Sequence, residues 1–312
     1  MSHSKGLPVF SVLILFATLA SGYLLRRLLP PVRGESLSLW LNRYVIYVAL
    51  PALVLVYIPR IDPDTSVWTP VLSAWGLFLL SSLAVVIVGR IAHWHREIVG
   101  ALLFTVPYGN TSFLGVPFTR AFFGESGLPY TLLYDQLGSF LILSTIGVVV
   151  LAFYISQSVS AIQIVTKIIT FPAFPALILS FLLIGIHYPS WLAVPLEGLA
   201  TSLAPAAMLS IGLQLKLRFA PHETRPFLFA MVIKLLLAPA LLLGFFLLTA
   251  HHDLAARISV FEAGMAPMVS SATMAILANL NRQFVASVLG YGIVLSFGTL
   301  PVVYWVVEFF LN

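Results

Sequence analysis

The sequence contains no cysteine and very few charged residues. Without cysteine, neither a disulfide framework nor a thiolate metal site can form anywhere in the 312 residues. Charged residues make up only 9% of the chain, whereas ordinary soluble domains carry about 25%. Hydrophobic residues make up 60%, and the mean hydropathy is +1.03. A chain this apolar cannot cover its surface with polar side chains, so the composition indicates an integral membrane protein.

The motifs that indicate common catalytic or nucleic-acid-binding functions are also absent. The sixteen Lys and Arg residues are scattered between apolar runs and form no basic stripe, which argues against a nucleic-acid partner despite the net charge of +5. The sequence has no HExxH zinc motif, no P-loop and no GxGxxG before a helix. We therefore predict that the protein is not an enzyme and has no cofactor, other than Na⁺ as a coupling ion.

Apolar runs long enough for membrane helices fill most of the chain. A span needs about 20 mostly apolar residues. This criterion predicts about ten helices, at 7–29, 36–58, 69–90, 97–121, 130–153, 164–186, 191–214, 226–249, 254–280 and 284–308. The first run is too long for a signal peptide and has no small-residue cleavage site, so we interpret it as the first span.

The basic residues predict the orientation of these spans. Ten Lys and Arg residues fall in loops after odd-numbered helices, and four fall at the termini or in the other loops. Because cytoplasmic loops carry the excess of basic residues, both termini are expected outside the cytoplasm. We predict a multi-pass protein of the cell (inner or plasma) membrane.

The two halves of the chain resemble each other weakly. Pro51 in "ALPAL" and Pro205 in "LAPAAML" are 154 residues apart, and Gly109 and Gly264 are 155 apart. Each half holds five predicted helices, an odd number, so the second half would enter the membrane upside down. We predict inverted five-helix repeats at 1–156 and 157–312, an arrangement typical of secondary transporters. Chance similarity between Pro- and Gly-rich helices is the alternative.

Predicted helices 4 and 9 contain residues that break a helix. Helix 4 reads "VPYGNTSFLGVP" from Val106, and helix 9 reads "EAGMAPMVSS" from Glu262. Unwound backbone is tolerated within a membrane only where it is buried in protein or lines a cavity, so we expect the breaks to cross near the midplane. Half-helix N-termini attract anions and half-helix C-termini attract cations. The alternative is that the prolines only kink the helices for packing.

These patterns predict a substrate site at the crossing. The candidate substrate-binding residues are Pro107, Gly109, Asn110, Thr111, Ser112, Gly264, Met265, Pro267, Ser270, Ser271 and Lys234. For Lys234 the sequence leaves three roles open: neutralising an acid, facing the substrate, or extending its ammonium to the membrane interface.

Two acidic residues fall within predicted spans. An ionisable group inside the bilayer costs at least roughly 2.5–3.5 kcal/mol, so such residues are functional candidates. The predicted coupling site takes its oxygens from Asn110, Ser112, Asp135, Ser139 and Glu262. Hard cations prefer such ligands, but two carboxylates can equally share a proton, so Na⁺ and H⁺ both stay open. The simpler interpretation is that Asp135 lies near the end of its span and is solvated.

Several long motifs resemble the auxin efflux carrier family. They are "YGNTSFLGVPFTRAFFGESGL", "TFPAFPALILSFLLIGI", "LAPAAMLSIGLQL" and "EAGMAPMVSSATMAILA". The resemblance implies an all-α membrane fold of ten helices in two inverted repeats, shared with the sodium/bile acid symporters. It also implies a scaffold domain (helices 1, 2, 6 and 7), which often forms a homodimer surface, and a transport domain (helices 3–5 and 8–10) that moves like an elevator.

The resemblance also indicates a class of substrate. This chain has no long central hydrophilic loop like that of the larger plant carriers, so it resembles the compact bacterial members, which are associated with small carboxylates such as malonate or malate. We predict a secondary transporter of small organic anions coupled to Na⁺ or H⁺.

The alternative is a carrier of larger anions like the sodium/bile acid symporters. Their sodium-ligating segment resembles Glu-x-Gly-Met here, but it continues with Gln where this chain has Ala266. The sequence predicts neither the substrate's identity nor the direction of transport.

Overall fold

The computed structural model describes residues 7–61, 67–155, 160–186, 188–217 and 221–312, and this part of the chain is helical with no named β-strand. The helices are α1 (Leu7–Leu28), α2 (Pro31–Arg60), α3 (Trp68–Ile91), α4 (Arg96–Thr105), α5 (Val116–Phe123), α6 (Glu125–Ile155), α7 (Ala161–Ile169), α8 (Ala173–Leu182), α9 (Ser190–Gln214), α10 (Thr224–Leu248), α11 (Leu254–Ala263), α12 (Val269–Leu277) and α13 (Arg282–Leu311). The predicted all-α class is confirmed for the described residues.

Seven of the described helices are long and apolar enough to cross a membrane: α1, α2, α3, α6, α9, α10 and α13. The pair α7 and α8, bent by 67°, is an eighth candidate. Predicted spans 4 and 9 are instead divided into short helices. The ten residues of α4 rise only about 15 Å, half of a hydrocarbon core of roughly 30 Å. A multi-pass membrane protein is confirmed, whereas the number of ten spans stays a prediction.

The chain forms two compact units. The first unit comprises residues 1–65, 112–132 and 166–215, and the second comprises residues 66–111, 133–165 and 216–312. The second unit therefore contains α3, α4, most of α6 and α10–α13. The predicted repeat boundary between 156 and 157 and the N-terminal tail at 1–6 lie outside the described residues. The functional division into scaffold and transport domains stays a prediction.

In the first unit, α1 and α9 pack with their backbones in direct contact. A Cβ atom added to Gly22 would lie 2.4 Å from the carbonyl oxygen of Leu209, and one added to Gly212 would lie 2.1 Å from that of Leu19. Glycine allows helices in a membrane to approach closely and gain van der Waals contact. These two glycines therefore determine the separation of α1 and α9.

In the second unit, a core of large apolar side chains from α4, α12 and α13 surrounds the two breaks. Phe104 and Phe284 are completely buried, and Ala272 of α12 lies in the same cluster. On another side, Gly138 lets α6 approach α3, because a Cβ atom at that position would lie 2.4 Å from the Cβ of Ala74. This close approach positions the segment of α6 that carries Asp135.

Candidate functional site at two paired helix breaks

The structure interrupts both of the predicted broken spans. In the first, α4 ends at Thr105 and helical structure resumes at Thr111. In the second, α11 ends at Ala263 and α12 begins at Val269. The proline within each break has no backbone N–H to donate and collides with the preceding turn of a regular helix, which favours an interruption at that point. The predicted positions of the two breaks are confirmed.

The two breaks pair with each other through their backbones. The Asn110 N–H donates to the carbonyl of Ala266 at 2.8 Å, and the Met268 N–H donates to the carbonyl of Tyr108 at 3.1 Å. Gly109 and Pro267 thus form an isolated antiparallel bridge. These hydrogen bonds satisfy buried backbone groups that an unbroken helix would have paired internally.

The last helix, α13, packs directly against the second break. A Cβ atom on Gly292 of α13 would lie 2.6 Å from the Cδ of Pro267. Only a glycine leaves room for the proline ring at this point of α13. The position of Pro267 therefore depends on the packing of α13 as well as on the pairing with Gly109.

Asp135 lies inside the second unit and accepts hydrogen bonds from two side chains. The Thr111 hydroxyl donates to Asp135 Oδ1 at 2.5 Å and lies 3.3 Å from the hydroxyl of Ser139. The Gln136 amide donates to Asp135 Oδ2 at 2.6 Å. Asp135 and Thr111 are both 0% exposed, so the interpretation of Asp135 as a solvated residue at a span end is wrong.

Glu262 lies at the carboxyl end of α11, and the ammonium of Lys234 reaches the same place from α10. Lys234 is only 4% exposed, and its Nζ donates to the carbonyl of Ala263, the last residue of α11, at 3.4 Å. Glu262, one residue before Ala263, is completely buried. A Cβ atom on Gly109 would lie 3.3 Å from Lys234 Nζ and 3.5 Å from the Glu262 carbonyl oxygen. The ammonium thus points into the second unit beside the first break, and not to the membrane interface.

The three π-helical segments of the site carry its main polar residues. They are Thr111–Gly115, Tyr134–Phe140 and Ile233–Leu237, which contain Thr111, Asp135 and Lys234 respectively. Two further π-helical segments occur in the described chain, in α2 and later in α6. Because π-helical turns are rare and are frequent at functional sites, three of them at the paired breaks favour a site there.

The remaining predicted site residues fall into two groups. Pro107, Gly264 and Met265 lie within the breaks, and Asn110 takes part in the pairing through its backbone. The other three are less closely associated with the breaks: Ser271 donates to the Met268 carbonyl at 3.0 Å, Ser270 is exposed, and Ser112 is buried but belongs to the first unit. Their predicted roles in binding or coupling stay predictions.

Two buried residues of the site are absent from the predicted set. Gln136 donates to Asp135, and Tyr134, which precedes Asp135, is also buried. The signal for Gln136 was present in the sequence, because it is a polar residue beside an acid within an apolar run. The carbonyls of Tyr108 and Ala266 have no such signal, since backbone hydrogen bonds do not depend on the side chain.

Comparison with known proteins extends these observations. The sequence profile of a family described as membrane transport protein matches residues 7–304. An uncharacterised transporter of Methanothermobacter thermautotrophicus is 29% identical over 304 residues, covering 94% of this chain and 95% of that protein. An uncharacterised transporter of Methanocaldococcus jannaschii is 24% identical over 308 residues, covering 96% and 98%.

Proposed function

Because the chain belongs to the family of membrane transport proteins, we propose that it is a secondary active transporter of small organic anions, coupled to Na⁺ or H⁺. The family match confirms the resemblance to the auxin efflux carriers that the motifs carry. Transport function follows from this membership. The substrate class, the coupling ion and the mechanism are the parts that we propose.

The observation that carries the proposal is the pair of breaks with buried charges on either side. Among the described residues, the buried charged side chains are Asp135, Lys234 and Glu262, and all three belong to the second unit. Keeping a charge inside a membrane costs at least roughly 2.5–3.5 kcal/mol, so three of them in one unit are difficult to explain by packing alone. They suit a site that must attract an anion and balance it with a cation.

The substrate anion would bind at the amino-terminal end of α12. The first N–H groups of a helix have no intrahelical partners and carry the positive end of its dipole. Here that end adjoins the second break, and Met268, which precedes α12, is paired to the first break. A carboxylate of a small organic acid matches this polarity.

The coupling cation would bind around Asp135. Its carboxylate, the Thr111 hydroxyl and the Ser139 hydroxyl provide oxygen ligands, the type that hard cations prefer. The same carboxylate is equally suited to take up a proton. The proposed coupling set of Asn110, Ser112, Asp135, Ser139 and Glu262 therefore admits Na⁺ or H⁺.

We extend the proposal to the architecture. Ten transmembrane helices in two inverted repeats agree with the equal lengths of α4 and α11, which are both ten residues long and both end at a break. Elevator-type alternating access is favoured because the paired breaks and the buried charges all lie in the second unit. The protein would reside in the cell membrane with both termini outside, as a homodimer through helices of the scaffold.

Uptake measurements in proteoliposomes test the function. Small mono- and dicarboxylates, malonate and malate among them, would be offered under an inward Na⁺ gradient, a pH gradient, or neither. We expect gradient-driven uptake of at least one of them. Uptake of bile acids but of no small carboxylate would favour the carrier of larger anions, and no uptake of any organic anion would contradict the proposal.

Two charge-neutralising variants test the site. Asp135→Asn and Glu262→Gln each keep the shape of the side chain, and we expect both to lose gradient-driven uptake by at least about tenfold. Glu35→Gln, which changes an exposed glutamate in α2, is the matched control and should retain uptake. Coupled uptake at the wild-type rate in both buried variants would eliminate these acids as coupling residues.

A further inference from the structure

Lys234 differs from the other described lysines in its surroundings. Lys167 and Lys216 are exposed, whereas Lys234 is 4% exposed in the π-helical segment of α10. Its ammonium donates to the Ala263 carbonyl at 3.4 Å. A lysine placed for packing or solubility would extend its charge to water or to the membrane interface. Lys234 instead carries its charge to the carboxyl end of a helix inside the second unit.

The groups around the ammonium are those that bind a small monovalent cation. The carboxyl end of α11 contributes a carbonyl oxygen and the negative end of the helix dipole. Glu262, one residue earlier, contributes a buried carboxylate to the same helix end. Carbonyl and carboxylate oxygens at the end of a half-helix within a membrane are a typical set of ligands for Na⁺.

The first break provides the space for the ammonium. A Cβ atom on Gly109 would lie 3.3 Å from Lys234 Nζ, closer than most real contacts of such an atom. The glycine therefore leaves room for Nζ between the two breaks. The four-carbon side chain of Lys234 extends from α10 to this space. The cation is therefore covalently part of the protein and does not have to bind from solution.

We propose that the Lys234 ammonium is a tethered cation that permanently fills a monovalent-cation site at the carboxyl end of α11, so that this site requires no free Na⁺. The inference rests on the proposed function, because it assigns the charge balance of that transport site. It confines any exchangeable coupling ion to the Asp135 end of the proposed coupling set and leaves Glu262 to balance the charge of Lys234. Removing the ammonium would then turn the α11 end into a site for a free cation.

Thermal unfolding of the purified full-length protein in detergent tests this inference without any substrate. The melting temperature is measured at constant ionic strength while N-methyl-D-glucamine chloride is replaced by NaCl. For Lys234→Ala we expect a lowered melting temperature in N-methyl-D-glucamine and a Na⁺-dependent recovery that exceeds the wild-type response by roughly 5 °C or more. Adding Glu262→Gln to the variant should abolish the recovery, because it removes the buried negative charge next to the site.

Lys167→Met and Lys234→Met form the matched control pair. The first removes an exposed lysine and should respond to Na⁺ like the wild type, whereas the second blocks the site with an apolar side chain and should stay unstable in both salts.

If Lys234→Ala survives purification only in NaCl, the inference is supported. It is overturned if Lys234→Ala gains no more from Na⁺ than the wild type does, or is unstable in both salts. A failure of wild-type uptake would count against the proposed function instead and leaves the unfolding result standing.

Discussion

Asp135 is a buried acid whose oxygens are both occupied by donors from the same unit. One donor is the Thr111 hydroxyl beside the first break, and the other is the amide of the adjacent Gln136. Hydrogen bonds to a charged group are worth roughly 1.5–3 kcal/mol, about twice the value of neutral ones. The hydrogen bond from Thr111 to Asp135 therefore both positions the first break against α6 and stabilises that contact.

Replacing Thr111 by valine tests that link. Valine has nearly the same shape but no hydroxyl, so we expect Thr111→Val to lose most gradient-driven uptake and about 1.5–3 kcal/mol of stability. The matched control is Thr119→Val, which removes an equally buried hydroxyl that accepts from Thr131 at 2.8 Å in the first unit. It should lose stability but keep the coupling ratio. Equal uptake and equal ion dependence in both variants would remove Thr111 from the coupling site.

The helices of each unit depend on glycines at specific points of contact. In the first unit the contact is between α1 and α9, and in the second it is between α13 and the second break. Helices α9 and α13 each also carry a glycine that faces open space. The chain thus provides its own controls for the two contacts.

For the first unit, we compare Gly212→Ala with Gly198→Ala, both in α9. The methyl group at position 212 would lie 2.1 Å from a backbone oxygen of α1, whereas that at position 198 meets nothing within 4 Å. We expect Gly212→Ala to cost about 1–3 kcal/mol and Gly198→Ala to be neutral or stabilising by up to about 1 kcal/mol. Thermal unfolding of the two purified variants measures the difference, and equal melting temperatures would contradict the close packing.

For the second unit, Gly292→Ala and Gly298→Ala make the corresponding comparison within α13. The first methyl group would push against the ring of Pro267, and the second has open space around it. We expect Gly292→Ala to lower uptake at least fivefold, because the displaced proline disturbs the pairing of the breaks, while Gly298→Ala retains uptake. Initial rates in proteoliposomes at matched protein density decide the point.

Some of these features follow directly from the sequence. Pro107 and Pro267 mark where the helices can break, because proline lacks a backbone N–H and disturbs the preceding turn. Proline alone does not decide the matter, since Pro195 and Pro301 lie inside α9 and α13. The apolar run around Asp135 makes it a candidate for burial, but only the structure excludes a solvated position at the end of the span. The alignment of the halves equates Gly109 with Gly264, whereas the breaks pair Gly109 with Pro267. That register arises from backbone hydrogen bonds, which have no side-chain signature.

The assignments of neighbouring polar residues show the same limit. The sequence predicts Thr111 as a substrate residue only and Ser112 as both a substrate and a coupling residue, but the structure brings the Thr111 hydroxyl to Asp135 and Ser139. Consecutive residues in a turn point in different directions, and the π-helical geometry at Thr111–Gly115 determines which one faces α6. Residue type alone does not contain that information.

The absence of cysteine makes the orientation of the entire chain directly measurable. Ser160 precedes α7 and His252 precedes α11, and both are exposed. With both termini outside, His252→Cys should react with a membrane-impermeant maleimide in intact cells, and Ser160→Cys should react only after the cells are opened. The reverse pattern would place the termini in the cytoplasm. The cysteine-free parent chain is the background control.

The pairing of the two breaks has a consequence for how substrate preference can change. Its two hydrogen bonds join backbone atoms of Asn110, Ala266, Met268 and Tyr108. Replacing the side chain at any of these positions leaves the donor and acceptor in place, provided that proline is not introduced at 110 or 268. Most point mutations at these four positions therefore leave the two backbone hydrogen bonds of the site in place. Under the proposed function, the side chains around the two breaks can change, and with them the preferred substrate, while the backbone pairing of the breaks is kept.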